Sequence, residues 1–75
     1  MIDIGYWLHV YREEARMTQT ALGKKVGTSQ SIIGRYERNE VVPTITRFLN
    51  ICRALNVTSF DLAKFAAGAL EEEED

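Results

Sequence analysis

Residues 18–38, TQTALGKKVGTSQSIIGRYER, constrain the chain more than any other stretch, because they hold two helix starts, one helix stop and two apolar faces. Thr18 can cap a helix on which Ala21, Leu22 and Val26 share one face at the i, i+3/i+4 spacing. Gly27 stops that helix, since a residue without Cβ enters positive φ at little cost. Ser29 caps a second helix, whose apolar positions Ile32, Ile33 and Tyr36 leave Gln30, Ser31, Gly34, Arg35 and Arg38 facing outward. Gly23, lacking a side chain, lets the second helix cross the first closely.

The remaining elements follow from the same signals. A first helix runs from a cap at Asp3 to Ala15, with Ile4, Leu8, Tyr11 and Ala15 inward. Pro43 lacks an N–H and holds Val42 extended, so residues 39–44 form an irregular loop, and Thr44 caps a fourth helix ending near Leu55. Ile45, Phe48, Leu49, Cys52 and Leu55 are its expected inward positions, and Asn56 ends it. Thr58 or Ser59 caps a fifth helix, with Thr58 and Asp61 at capping-box spacing and Leu62, Phe65 and Ala69 on its apolar side. The expected fold is all-α, with five helices.

With 75 residues the chain can build one small domain, burying roughly 60% of its unfolded surface. We expect residues 1–70 to form this domain and residues 71–75, EEEED, to be a solvated, frayed, disordered tail. Net charge is −2, but the tail holds five acids, which leaves nine basic against six acidic residues, or +3, in the body. Between Arg12 and Arg53 eight basic residues face four acidic ones. A surface of that sign attracts phosphate, although the excess alone does not specify nucleic acid.

Chemistry beyond binding finds little support. One His, one Cys and no clustered Asp/Glu outside the tail give no nucleophile–base pair, metal site or cofactor site, so no enzyme is expected. His9 has no second ligand at i+3 or i+4 and reads as a solvated or hydrogen-bonded surface group. Cys52 lies on the inward stripe and is assigned to packing. A single cysteine forms no internal disulfide, and there is no signal segment and no apolar run of about 18 residues, so a reducing cytoplasm and no membrane role are expected.

From about Ile4 to Leu62 the chain resembles the lambda Cro/cI-type (XRE-type) helix-turn-helix DNA-binding domains. The resemblance is carried by Arg12 ahead of MTQTALGKKVG, Gly27, SQSIIGRYE, VVPTI and LNICRALNV, in family order and spacing. Asn39, Asn56 and Arg16 stand where the family usually has Gly, and Thr28 where it is often apolar; Asn is the next-best left-handed residue. The resemblance implies a compact lambda-repressor-like domain with the helix-turn-helix as helices 2 and 3, encoded by a bacterium or phage and located on the nucleoid. It also implies that Arg12 and Glu37 pair to orient the reader helix, with Arg12 near a phosphate. Gln19 would hold a phosphate and brace Gln30.

Residue chemistry then assigns roles on double-stranded DNA. Gln matches the N6 and N7 edge of adenine and Arg the O6 and N7 edge of guanine, so Gln30, Arg35 and the short Ser31 are the expected base readers. Thr18 and Gln19 sit at a helix start that favours phosphate, with Ser29, Arg38, Asn39 and Thr44 as further backbone contacts. Gly34 would let the DNA come close. The leading expectation is a transcriptional repressor that binds a palindromic operator as a homodimer, pairing mainly on the DNA. An antitoxin binding DNA and a toxin, and a protein-interaction adaptor on the same fold, are the alternatives.

Two surfaces are candidates for such a partner. The fifth helix offers Phe65 and Leu70; the first offers Tyr6, Trp7 and Val10 on a face where related domains carry polar residues. The latter patch is either covered by the C-terminal helix or left as an interface.

Overall fold

Each helix start is fixed by one side-chain oxygen taking a free N–H. In the computed structural model, which describes residues 3–73, α1 (Ile4–Glu14), α2 (Gln19–Val26), α3 (Gln30–Glu37), α4 (Ile45–Ala54) and α5 (Ser59–Glu73) follow in order. Asp3 accepts from the amide of Tyr6, Thr18 from Ala21, Ser29 from Ile32 and Thr44 from Arg47, at 2.9 to 3.2 Å. At α5 the cap is Thr58, and the box is reciprocal: the Asp61 amide donates to Thr58 Oγ1 while the Thr58 amide donates to Asp61 Oδ2.

The first four helices end the same way. One residue at positive φ follows each of them: Arg16 at 57°, Gly27 at 78°, Asn39 at 59° and Asn56 at 58°. The amide just after it reaches back across the last turn, Met17 to Arg12, Thr28 to Gly23, Glu40 to Arg35 and Val57 to Cys52, at 2.7 to 3.2 Å. These bonds satisfy carbonyls that the helix leaves open and turn the chain sharply, which packs successive helices into a small volume.

Each of α1 to α4 sends one fully enclosed aliphatic side chain into the core: Leu8, Leu22, Ile33 and Ile51. Tyr36, Cys52 and Leu55 complete it, and Met17, Val26, Ile32 and Val57 pack around the edge. Burying each of the four contributes about 1.5 to 3 kcal/mol. The backbones of α2 and α3 approach closely, since a Cβ at Gly23 would lie 2.9 Å from the carbonyl carbon of Ser29.

Two expectations about the core need correction. Ile45 and Leu49 are 71% and 46% exposed, and Ile51 takes the inward position instead, in one core cluster with Leu22 where α4 packs on α2. Ala15 and Ala21 are exposed, at the end of α1 and in the first turn of α2. The fifth helix is described to Glu73, three residues into the acidic segment 71–75. Residues 74–75 lie outside the described residues.

Trp7 ties the C-terminal helix to the bundle. Its ring centroid lies 4.6 Å from Tyr11, 5.6 Å from Phe48 and 4.8 Å from Phe65, so one side chain of α1 joins α4 and α5. The second stripe of α1 is thus covered at Trp7, while Tyr6 stays 65% exposed.

Candidate nucleic-acid interface

The outer face of α3 and the first turn of α2 lie side by side. Gln30, Ser31 and Arg35 on α3 and Arg38 at its C-cap are exposed, as are the capping residues Thr18, Ser29 and Thr44 at three helix starts. Each of these hydroxyl oxygens accepts a backbone N–H, and its own hydrogen remains available to donate to a phosphate.

Two glutamines join across the turn. Gln30 Nε2 donates to Gln19 Oε1 at 2.6 Å, and Gln19 Nε2 donates to Glu37 Oε1 at 3.1 Å. Gln19 therefore links the start of the exposed face of α3 to the acid at its end.

Glu37 is held from α1. Arg12 Nε donates to its Oε2 at 2.6 Å and Arg12 Nη2 to its Oε1 at 3.0 Å, while Arg12 Nη1 donates to the Met17 carbonyl at 2.7 Å. The two side chains are 9% and 6% exposed, so this is an enclosed pair and not a solvated one. Burial pushes the Glu37 carboxyl up, but hydrogen bonds from Arg12, His9 and Gln19, together with the Arg12 charge, outweigh it and hold the group below the ordinary range. The bond to Glu37 raises the Arg12 guanidinium above its ordinary value, against the effect of burial. Arg12 is buried, and its Nε, Nη1 and Nη2 each donate one hydrogen bond inside the protein.

His9 belongs to the same cluster, which the sequence did not reveal. Its Nδ1 lies 2.9 Å from Glu37 Oε1 and 3.2 Å from Arg12 Nη2, and its Nε2 lies 3.4 Å from Glu13 Oε1. The available signal was local: His9 precedes Arg12 by three residues, one turn along the same helix face.

Other candidates are less free than their exposure implies. Arg38 pairs with Glu40, and Arg35 Nε lies 3.8 Å from the same carboxylate. The hydrogen bond from Arg38, with the charges of both arginines, holds the Glu40 carboxyl below its ordinary range. Asn39 accepts from the Gly5 amide at 3.0 Å through Oδ1 and donates to Asp3 Oδ1 at 2.8 Å through Nδ2, so its amide is engaged at both ends. Gly34 is buried, contrary to the outward position expected for close approach of DNA; the side chains of Gln19 and Arg38 lie over it.

The two partner candidates meet. Tyr6, Trp7 and Val10 from α1 and Phe65, Gly68 and Ala69 from α5 line a single apolar groove of about 350 Å³, edged by Asp3 and Lys64. Leu70 stands 67% exposed on α5.

Two short helices joined at a left-handed glycine, the second presenting one polar face from a bundle of five, define a DNA-binding helix-turn-helix regulator. The helix-turn-helix family model matches residues 8–62, and the chain belongs to this family, of the XRE type. It is also similar to the P22 c2 repressor in a crystal structure with the synthetic operator 9T, at 33% identity and a TM-score of 0.69, over 73% of this chain and 83% of that one. No curated protein matches the chain at a significant level. No described helix is long and apolar enough to cross a membrane.

Proposed function

We propose that the protein is a sequence-specific repressor that places α3 in the major groove of double-stranded DNA and binds a palindromic operator as a dimer. The observation that carries this reading is the braced Gln30: with one N–H given to Gln19, it keeps one donor and one acceptor, the pair that matches adenine N7 and N6. Arg35 and Ser31 share the exposed face, and the caps Thr18, Ser29 and Thr44 with Gln19 supply backbone contacts. A family of such regulators, and a relative titled as a complex with operator, support DNA as the partner.

One α3 spans too few base pairs to select a site in a genome, whereas two related by symmetry double the readout. The groove between α1 and α5, together with the exposed Leu70 of α5, supplies the apolar surface for pairing. Selection of bound sequences from a random duplex pool tests the proposal. A palindrome with half-site centres about 34 Å apart is expected. Recovery of no enriched motif would turn the reading toward an antitoxin or adaptor.

A further inference from the structure

We propose that His9 is a positioning residue for base reading: by holding Glu37 it sets, through Gln19, which end of the Gln30 amide faces the DNA. The inference rests on Gln30 reading a base, as proposed above.

The direction of the chain follows from which groups can only accept. An ionised carboxylate has no proton to give, so Glu37 obliges Gln19 to turn its NH2 inward, and the 3.1 Å contact is Gln19 Nε2 to Glu37 Oε1. Gln19 then has only its carbonyl oxygen left for Gln30, which must answer with its own NH2, at 2.6 Å. Each amide thus inherits its orientation from the one before. At the end, Gln30 presents an N–H on the side of Gln19 and a carbonyl oxygen on the other. Without this bias the amide can turn over and present both N–H groups, the complement of the O6 and N7 acceptors of guanine.

His9 bears on the first step. Oε1 is the oxygen that receives Gln19, and it also faces Arg12 Nη2 at 3.0 Å and His9 Nδ1 at 2.9 Å. In the tautomer that carries the ring proton on Nδ1, His9 donates to this oxygen. Arg12 alone fixes Oε2 and one side of Oε1; the imidazole occupies another side, between the carboxylate and solvent, its own side chain being 43% exposed against 6% for Glu37. Removing the ring opens the carboxylate to water, so that a water donor can compete with Gln19 for Oε1. The fold does not depend on the ring, because the Arg12 bonds and the aliphatic core remain in place.

The test is selection from the same random duplex pool with four folded proteins: wild type, His9→Leu, His9→Asn and Gln30→Ala. Asn carries an amide donor close to where Nδ1 stands. His9→Leu is expected to lower the preference for adenine over guanine at one base pair of each half-site by roughly threefold to tenfold, the size of one lost hydrogen bond, with other positions unchanged. His9→Asn should restore most of that preference, which a merely packing role would not require. If Gln30→Ala alters that position and His9→Leu does not, or if His9→Leu weakens every position equally, the relay is wrong. If Gln30→Ala selects the same motif as wild type, Gln30 reads no base, and the underlying reading fails with the relay.

Discussion

Asn39, the left-handed residue that ends α3, takes the amide of Gly5 on its side-chain oxygen at 3.0 Å and thereby joins the end of α3 to the start of α1. The approach is close: a Cβ at Gly5 would stand 2.5 Å from the Glu37 carbonyl oxygen and 2.7 Å from that of Tyr36. The same side chain donates to Asp3, the cap of α1, at 2.8 Å.

Asn39→Ala should therefore cost about 2 to 3 kcal/mol, since it keeps the Cβ in the left-handed region without the polar side chain that makes Asn tolerable there, and deprives the Gly5 amide of its acceptor. Asn39→Gly relieves the backbone but loses the same bonds, and should cost about 1 kcal/mol. Denaturant unfolding of both variants measures the order. A Gly variant at least as stable as wild type would show that the side-chain bonds contribute no more than the backbone strain that glycine relieves.

Two glycines of α1 and α3 should respond oppositely to alanine. At Gly5 the added methyl meets backbone oxygens that cannot move without separating the helices, so Gly5→Ala should destabilise by several kcal/mol, of order 3. At Gly34 the nearest atoms are Arg38 Nη1 at 3.0 Å and Gln19 Oε1 at 3.4 Å, the first at the end of an exposed, flexible side chain. Gly34→Ala should raise stability by up to about 1 kcal/mol through helix propensity. Arg16→Gly should add a similar amount, because Arg16 holds a φ of 57°. Thermal melts of the three variants separate these outcomes by sign.

The helix starts were legible because capping is a property of three or four neighbouring residues. Asp3, Thr18, Ser29, Thr44 and the pair Thr58 and Asp61 all act over a separation of three. What the chain order hides is which face of a helix meets a neighbour. Ile45, Leu49 and Ile51 are equally apolar, and only the packing of α4 on α2 selects Ile51. Likewise His9 and Glu37 stand 28 residues apart, and Gly5 and Asn39 34 apart, so no local spacing marks either contact. The Arg12 and Glu37 pairing came from the family pattern, not from any spacing rule; its enclosure is a property of the packed helices.

Acid should weaken the fold through Glu37. Its folded pKa lies below the ordinary carboxyl value, so the proton is bound more tightly in the unfolded chain. The corresponding stability is fully present above about pH 4.3, the usual glutamate value, and is lost as pH falls from there through the folded pKa. Glu37→Gln leaves the Arg12 charge enclosed without its counterion and should cost about 3 kcal/mol at pH 7. The gap between wild type and variant should narrow on acidification. Parallel pH profiles of unfolding free energy would remove Glu37 as the group responsible.

Glu40 holds two cations that the proposed interface needs. Arg38 is paired with it and Arg35 lies 3.8 Å away, so DNA must compete with this carboxylate for both. Replacing it by glutamine keeps the shape and removes the charge. Glu40→Gln should tighten binding to random duplex at low salt by roughly threefold to tenfold and lose that advantage as salt screens exposed charges. An affinity that does not change at low salt would mean that neither arginine is drawn away from DNA by Glu40.

Dimerisation has to be tested without breaking the monomer, and this decides which residue to change. Phe65 is unsuitable, because its ring packs on Trp7 at 4.8 Å and helps to hold α5 in place. Leu70 is 67% exposed near the end of the same helix and takes no part in that aromatic contact. Leu70→Glu should leave the melting temperature and half-site affinity nearly unchanged and reduce cooperative filling of a palindrome about tenfold, because a charge set into a small apolar contact opposes pairing by about 1 to 2 kcal/mol. Tyr6→Glu, 65% exposed across the groove from Phe65, should act in the same direction if the pairing surface spans both helices. Titrations on one and on two half-sites measure the cooperativity. Wild-type cooperativity in both variants would place the contact elsewhere on the domain, while loss in Leu70→Glu alone would confine it to the end of α5.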